Sequence, residues 1–392
     1  MLRFLKNLTR RTPLGLLQLS HDKTRLLIAI SGIAFADLLI FMQLGFQGAL
    51  YSSNTRLHNI LNADIVLISP QARNLVHLST ITRRRLYQAM DVPGVADGQP
   101  LYVNIADWKI PGIGRETNIL VLGFNPDRPP FDVASLDKYS SLMKLPDTVV
   151  FDQAARGDYG YAIEQILAGE RAVTEVENRQ IEIAGLYEIG ASFAADGTIM
   201  TSDRNFLRLF SRRRDAGGIS AGLLYLESGA DPQAVANLLK TRLPADVQVL
   251  TREEFIAFER EYWSENTAIG FVFRLGAVMG FLVGLIIVYQ VLSTDVADRL
   301  GEYATFKAMG YQQTYLLGIV FEEAMILVIA GFFPGLAVSM GLYRLTRQAT
   351  NLPMYMTLSR AVFVLILTIL MCCFSGAIAT RKLQAADPAD LF

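Results

Sequence analysis

LLIAISGIAFADLLIFMQLGFQGAL, Leu26–Leu50, is an apolar run interrupted only by Asp37, Gln43 and Gln47. A helix that crosses a bilayer needs about 20 mostly apolar residues, so this run is long enough to span. Its basic flank fits a secretion signal. The run, however, outlasts the apolar part of such signals, about 7–15 residues, and no A-x-A site closes it. It is therefore read as a retained span. The next comparable runs are Ala268–Leu292, Tyr315–Leu342 and Ala361–Ile378. The expected fold class is an α-helical membrane protein with four transmembrane helices plus a mixed α/β extracytoplasmic domain. The order is one span, residues 51–265, then three spans.

Composition agrees with that plan. Of 392 residues 52% are hydrophobic and 19% charged, and the mean hydropathy is +0.31. Soluble chains carry about 25% charged residues. The formal net charge of −1 gives no sign of a nucleic-acid partner. Cys372 and Cys373 are adjacent inside the last apolar run and are poorly placed for a structural disulfide. Orientation follows from lysine and arginine in the short flanks. Residues 1–25 carry Arg3, Lys6, Arg10, Arg11, Lys23 and Arg25, which places this amphipathic segment in the cytoplasm. The loop 295–313 with Arg299 and Lys307, and the tail 379–392 with Arg381 and Lys382, fall on the same side. Arg344, Arg347 and Arg360 oppose the rule from the outer loop.

The extracytoplasmic segment reads as two strand–helix–strand units around an insert. Ala63–Ser69, Thr80–Met90 and Pro100–Ile110 form the first; Gly222–Ser228, Asp231–Leu243 and Asp246–Thr251 the second. Asp231 before Pro232 is a strong helix start. Two such units pair into a ferredoxin-like lobe. The insert, about 112–218, is rich in strands (TNILVLGF, DTVVFD, RQIEIAGLYEI) and is expected to form a β-rich second lobe. His58 and His77 have no partners at metal-ligand spacing, and no hydrolase or zinc-protease motif occurs. Binding or mechanical work is favoured over catalysis. Helical composition at both ends of the domain predicts a stalk that continues the first two spans, with a plain linker as the alternative.

Several residues stand out within the spans. Gly276, Gly280 and Gly284 make two overlapping G-x-x-x-G steps, which suit either packing within the chain or a dimer contact. Asp37 lies about 16 Å into its span at helical rise. Such an acid faces protein or water, as a hydrogen-bonded structural group or as a proton relay. Arg274 is close enough to the boundary to snorkel. Glu322 and Glu323 lie a turn or two inside the opposite boundary.

The loop DVADRLGEYATFKAMGYQQ, Asp295–Gln313, is more elaborate than a connector requires. Read as one helix from Asp295 to Met309, it pairs Asp295 with Arg299 at i,i+4. It also gathers Leu300, Tyr303, Ala304 and Lys307 on one face, sets Phe306 and Met309 beside them, and ends at Gly310. Such a helix docks on a membrane surface or in a groove of another protein.

The stretch DRLGEYATFKAMGYQQTYLLGIVFEEAMILVIAGFFPG resembles the R-x-x-E-x-x-x-x-x-A-x-G pattern of FtsX/MacB-type ABC transporter permeases. The matching residues are Arg299, Glu302, Ala308, Gly310, Glu323, Gly331 and Gly335. LGLLQLSHDKTRLLIAISGI and the tail RKLQAADPADLF are similar to the family's first span and ending. Within the family the chain resembles the DevC-like permeases of cyanobacterial exporters, intramembrane Asp37 included. The resemblance implies a permease homodimer in the inner membrane and a separate cytoplasmic DevA-like ATPase, which uses ATP and Mg. It also implies a DevB-like membrane fusion protein and a TolC-like outer-membrane channel, with export of glycolipid in the best-known system. It further implies mechanotransmission, in which ATP-driven closure of the ATPase moves the outer domain. Arg299, Glu302, Tyr303, Phe306, Lys307, Ala308, Met309 and Gly310 are then the ATPase-coupling residues. The chain has no G-x-x-x-x-G-K-[ST] phosphate loop, so it is expected to bind no cofactor and to be no enzyme itself. A lipoprotein-release permease and an FtsX-like regulator of a cell-wall hydrolase are the competing readings.

Overall fold

A computed structural model describes residues 23–211, 217–302, 305 and 309–380. In chain order the elements begin with α1 (Lys23–Asn54), α2 (Arg56–Asn59), β1 (Ile65–Ile68), β2 (Ile81–Thr82), α3 (Arg83–Met90), β3 (Val95–Lys109) and β4 (Glu116–Phe124). Next come α4 (Leu136–Met143), β5 (Thr148–Asp152), α5 (Gly160–Leu167), β6 (Ala172–Val176), β7 (Arg179–Tyr187), β8 (Thr198–Ser202) and α6 (Asp203–Leu209). After these follow β9 (Gly218–Ile219), β10 (Ala221–Leu226), α7 (Pro232–Arg242), β11 (Gln248–Thr251), α8 (Arg252–Glu265), α9 (Ala268–Asp298), α10 (Gln313–Thr350) and α11 (Leu358–Ala379). Two compact units result. Among the described residues, the helical unit holds 23–48, 271–346 and 354–380, and the sheet unit holds 49–270 and 347–353.

In the helical unit, α1, α9, α10 and α11 are each long and apolar enough to cross a membrane. Their shared core is made by Ala29, Ile33 and Ala36 of α1, Val288 and Leu292 of α9, Ala324, Leu327 and Val328 of α10, and Met371 and Cys372 of α11. The outward faces are also apolar. Phe271, Val272, Leu275, Val278, Met279, Leu282 and Ile286 of α9 are all exposed, as befits helices whose solvent is lipid.

Small residues set the packing. Gly276 backs onto the Gln43 side chain, Gly280 onto Ile40, and Gly284 onto Ala36 and Met371. From α10, Gly331 lies against Ile33, and Gly335 against Ala34 and Asp37. Both glycine series therefore pack within the chain, and α1 is the helix they approach.

The sheet unit is built on nine strands in the order β11-β1-β10-β3-β4-β8-β5-β7-β6. The end β11-β1-β10-β3 is antiparallel throughout. The fifteen-residue β3 joins the two halves: Val95–Leu101 pairs with β10, and Tyr102–Lys109 pairs with β4. The insert at 112–218 is therefore continuous with the sheet. It also contains three short helices, α4, α5 and α6, which a strand-dominated reading does not supply. At seven or eight residues each, they are too short to show a clear helical period.

Apolar clusters cover both faces of the sheet. Ile65 and Leu67 enter one, and Val66 and Ile68 enter the other. A strand buried on both faces reads as an unbroken apolar run, and all four residues of β1 are buried. Trp108, stacked on Phe151 at 5.4 Å, anchors the first cluster.

Helix ends follow local chemistry. Asp231 caps α7 by accepting from the Gln233 amide, with Pro232 at the first position. Thr251 and Glu254 form a reciprocal capping box on α8. The stalk reading needs correction at α8, which ends at Glu265 and is separated from α9 by Asn266 and Thr267. By contrast, α1 runs unbroken to Asn54. Helix α10 continues to Thr350, so the segment after 342 is mostly helix.

Candidate functional site

The loop that follows α9 differs from the single helix read in the sequence. Asp295–Asp298 form the last turn of α9 itself. The regular helix is interrupted at Arg299 and helical conformation returns at Leu300–Glu302 and Thr305. The Met309 amide donates to the Thr305 carbonyl at 3.0 Å, and Gly310 follows with φ +89°. That left-handed conformation is readily adopted only by glycine. Tyr303, Phe306, Lys307 and Ala308 lie outside the described residues.

The root of this loop is a group of charges. Arg299 Nε donates to Asp295 Oδ1 at 3.2 Å, one helical turn away. Arg25, in the first turn of α1, donates from Nη2 to Asp298 Oδ2 at 2.7 Å and places Nη1 3.8 Å from Asp295 Oδ1. Glu323 of α10, fully buried, lies beside Asp295 and Arg299. Three helices thus meet through their charges where the loop begins. Next to them Val296, Ile319 and Val320 are buried, with Leu300 and Tyr315 packed on them.

Burial separates the residues of the loop into two sets. Arg299 and Leu300 turn inward to this root. Glu302, Met309 and Gly310 face outward, Met309 being 61% exposed. Of the described loop residues that the sequence reading singled out, Glu302, Met309 and Gly310 are exposed, whereas Arg299 is bonded to Asp295. Arg25 and Asp298 belong to the same group, and sequence reasoning did not include them. Their only signal was a basic residue ahead of the first span and an acid at the end of the second.

Asp37 is fully buried and accepts a hydrogen bond on Oδ1 from Thr368 Oγ1 of α11 at 2.7 Å. Among the described residues its Oδ2 has no hydrogen-bond partner. Thr368 Oγ1 is also 2.8 Å from the Val364 carbonyl. At the other end of the helical unit, Arg360 Nη1 donates to the Tyr355 carbonyl at 2.7 Å, and its guanidinium lies 5.6 Å from the Tyr343 ring centre.

In the sheet unit the arginine run at 83–85 is mostly structural. Arg83 donates to the Tyr102 hydroxyl at 2.6 Å, and Arg85 grips Asp246 with two nitrogens at 2.7–3.1 Å. That pair holds the Asp246 carboxyl below the usual carboxylate range. Arg212–Arg214 lie outside the described residues. A second fixed feature is the loop after β7. Asp152 accepts from the Ile189 and Gly190 amides at 3.0 and 2.7 Å, while Arg56 holds the Ile189 carbonyl. Burial raises the Asp152 carboxyl above its ordinary value, partly offset by these amide bonds. Among the described residues no three histidine, cysteine or acidic side chains gather as a metal site.

Residues 274–388 match the family profile described as FtsX-like permease C-terminal. No curated protein matches the chain. Among solved structures, the periplasmic region of MacB from Actinobacillus actinomycetemcomitans aligns with a TM-score of 0.33 and 9% identity, over 50% of this chain and 92% of that one. The extracellular domain of the noncanonic ABC-type transporter YknZ from Gram-positive bacteria aligns with a TM-score of 0.31 and 14% identity, over 48% and 100%. A domain of a permease protein from Porphyromonas gingivalis gives 0.30 and 10%, over 50% and 90%. The matched stretch begins at Arg274 in α9 and takes in the loop, α10 and α11.

Proposed function

We propose that this chain is the permease subunit of an ABC-type tripartite efflux pump of the FtsX/MacB type, DevC-like in its subtype. The supporting observation is the FtsX-like match across α9, the loop and both following helices, in a chain without a phosphate loop of its own. ATP hydrolysis then falls to a separate cytoplasmic ATPase. The loop is its docking element, with Glu302, Met309 and the segment 303–308 as the contact surface. The charge group of Arg25, Asp295, Asp298, Arg299 and Glu323 ties that surface to three helices. The chain sits as a homodimer in the inner membrane with both termini cytoplasmic. The sheet unit is periplasmic, and its antiparallel end reads as a ferredoxin-like lobe. A DevB-like fusion protein and a TolC-like channel complete the assembly, and glycolipid is the proposed cargo.

The test is reconstitution of the full chain with a separate ABC-type ATPase. Double substitution of Phe306 and Lys307 is expected to abolish stimulated hydrolysis and transport while the sheet unit stays folded. Unchanged stimulation would refute the docking assignment. Co-purification of a periplasmic lipoprotein carrier in place of a fusion protein would favour lipoprotein release over efflux.

A further inference from the structure

Helices α2 and α8 pack together inside the sheet unit. The chain enters this unit through α2, just after α1, and leaves through α8, just before α9. Between α2 and α8 lies a polar group closed to solvent. His58 and Glu259 are each 1% exposed, and His58 Nε2 is 3.6 Å from Glu259 Oε2. The Leu75 amide donates to Oε2 at 2.7 Å, and the Trp263 indole Nε1 donates to Oε1 at 2.7 Å. Phe255 covers the imidazole with its ring centre 4.4 Å away. A cavity of about 20 Å³ opens beside Glu259, bounded in part by Ser53, Asn54 and Leu75, which is room for one water.

Each element packed around the pair contributes little charge. From α2 comes His58 itself; from the end of α1, the Asn54 backbone; from the segment at 75, an amide; from α8, the Trp263 indole. Among the described residues no other charged side chain acts on either group. A lone ionised carboxylate here would be a buried charge without a counter-ion, which is costly. Burial accordingly pushes the Glu259 carboxyl up to about 7 and the His58 imidazole down to about 3. The dissociable proton therefore resides on the carboxyl at neutral pH and below.

We propose that His58 and Glu259 form a one-proton clamp between α2 and α8. With the proton bound, Oε2–H faces Nε2, which has no hydrogen-bond partner among the described residues, across 3.6 Å; drawn to hydrogen-bond distance, the pair ties the two helices. Released to water, the proton leaves a carboxylate buried beside an uncharged ring, and the joint between the two connecting helices loosens. The clamp makes the sheet unit responsive to the pH of its compartment. It stands independently of any coupling to an ATPase.

Trp263 is a built-in reporter, because the chain has only one other tryptophan, Trp108. The full chain labelled with 5-fluorotryptophan gives two fluorine resonances, assigned with W108F. The Trp263 resonance is expected to shift with a single-proton midpoint near neutral pH, while Trp108 stays in place. In E259Q the Trp263 shift is expected to vanish. Above the midpoint, Trp263 indole hydrogen exchange, taken relative to Trp108, is expected to accelerate several-fold. A Trp263 resonance that stays fixed from about pH 5 to about pH 9 overturns the proton site, as does a shift that survives in E259Q. An unchanged exchange ratio overturns the clamp. Should E259Q fail to fold, the comparison of the two resonances in the wild-type chain still decides.

Discussion

The sheet unit and the helical unit bury polar groups in opposite ways. In the sheet unit several buried polar side chains are answered locally: Asp152 by two backbone amides, Asn205 by the carbonyls of Met143, Leu145 and Thr148, Glu259 by an amide and an indole. Water surrounds this fold, so apolar area drives it together and polar groups need only be satisfied. In the helical unit large apolar side chains face outward, and the close contacts are made by glycine. Lipid supplies no hydrophobic drive between helices, so shape and a few polar ties do the work. Substitutions should therefore act by different routes in the two units.

The largest expected effect tests polar compensation in the sheet unit. In the wild-type chain Glu259 holds a proton that His58 declines, so the two offset one another between about pH 4.5 and about pH 6.5. Replacing His58 with Phe leaves Glu259 alone. A carboxyl raised from 4.5 to about 7 contributes stability that is present below pH 4.5 and is lost as pH rises to about 7. At about 1.4 kcal/mol per pH unit, H58F should lose about 3 kcal/mol across that window. Denaturant unfolding of the sheet unit, followed by Trp263 emission at both ends of the window, measures it. An equal loss in the wild-type chain would break the compensation.

Shape in the helical unit comes next. A Cβ at Gly331 would lie 2.5 Å from Ile33 Cγ2, whereas one at Gly341 would meet nothing within 4 Å. Gly331→Val should cost about 1–3 kcal/mol by overpacking. Gly341→Ala should be neutral or stabilise by up to about 1 kcal/mol. Thermal stability of the detergent-solubilised chain separates the two, and equal effects would remove the case for glycine-set packing. Smaller again, Thr251→Ala breaks the capping box of α8 and should cost about 1 kcal/mol, read in denaturant midpoint. The smallest effect belongs to the charge group. Arg25 and Asp298 are 31% and 54% exposed, so Arg25→Ala should cost less than about 1 kcal/mol and less still at high salt. A larger loss would show the group to be a structural hub.

Much of this was legible along the chain. Four spans stand out because about 20 apolar residues have no other common use. The cap at Asp231, followed by Pro232, is local chemistry. The strands of β1, β4, β5 and β7 follow from their apolar runs. The failures are just as physical. The three short helices of the insert have too few turns to display a period. The one local sign of the break at Arg299 was Gly301, a poor helix former, and a single glycine within a helical pattern does not by itself end a helix.

The sequence by itself determined the order of spans and domain, the strand and cap positions, and the absence of a phosphate loop, since all of these depend on neighbouring residues. Tertiary structure alone decided which glycines face which helix, that Arg25 joins Asp295 and Asp298 across more than 260 positions, and that His58 meets Glu259. Those pairings depend on where chain packing returns a segment, and no local pattern of residues encodes that return.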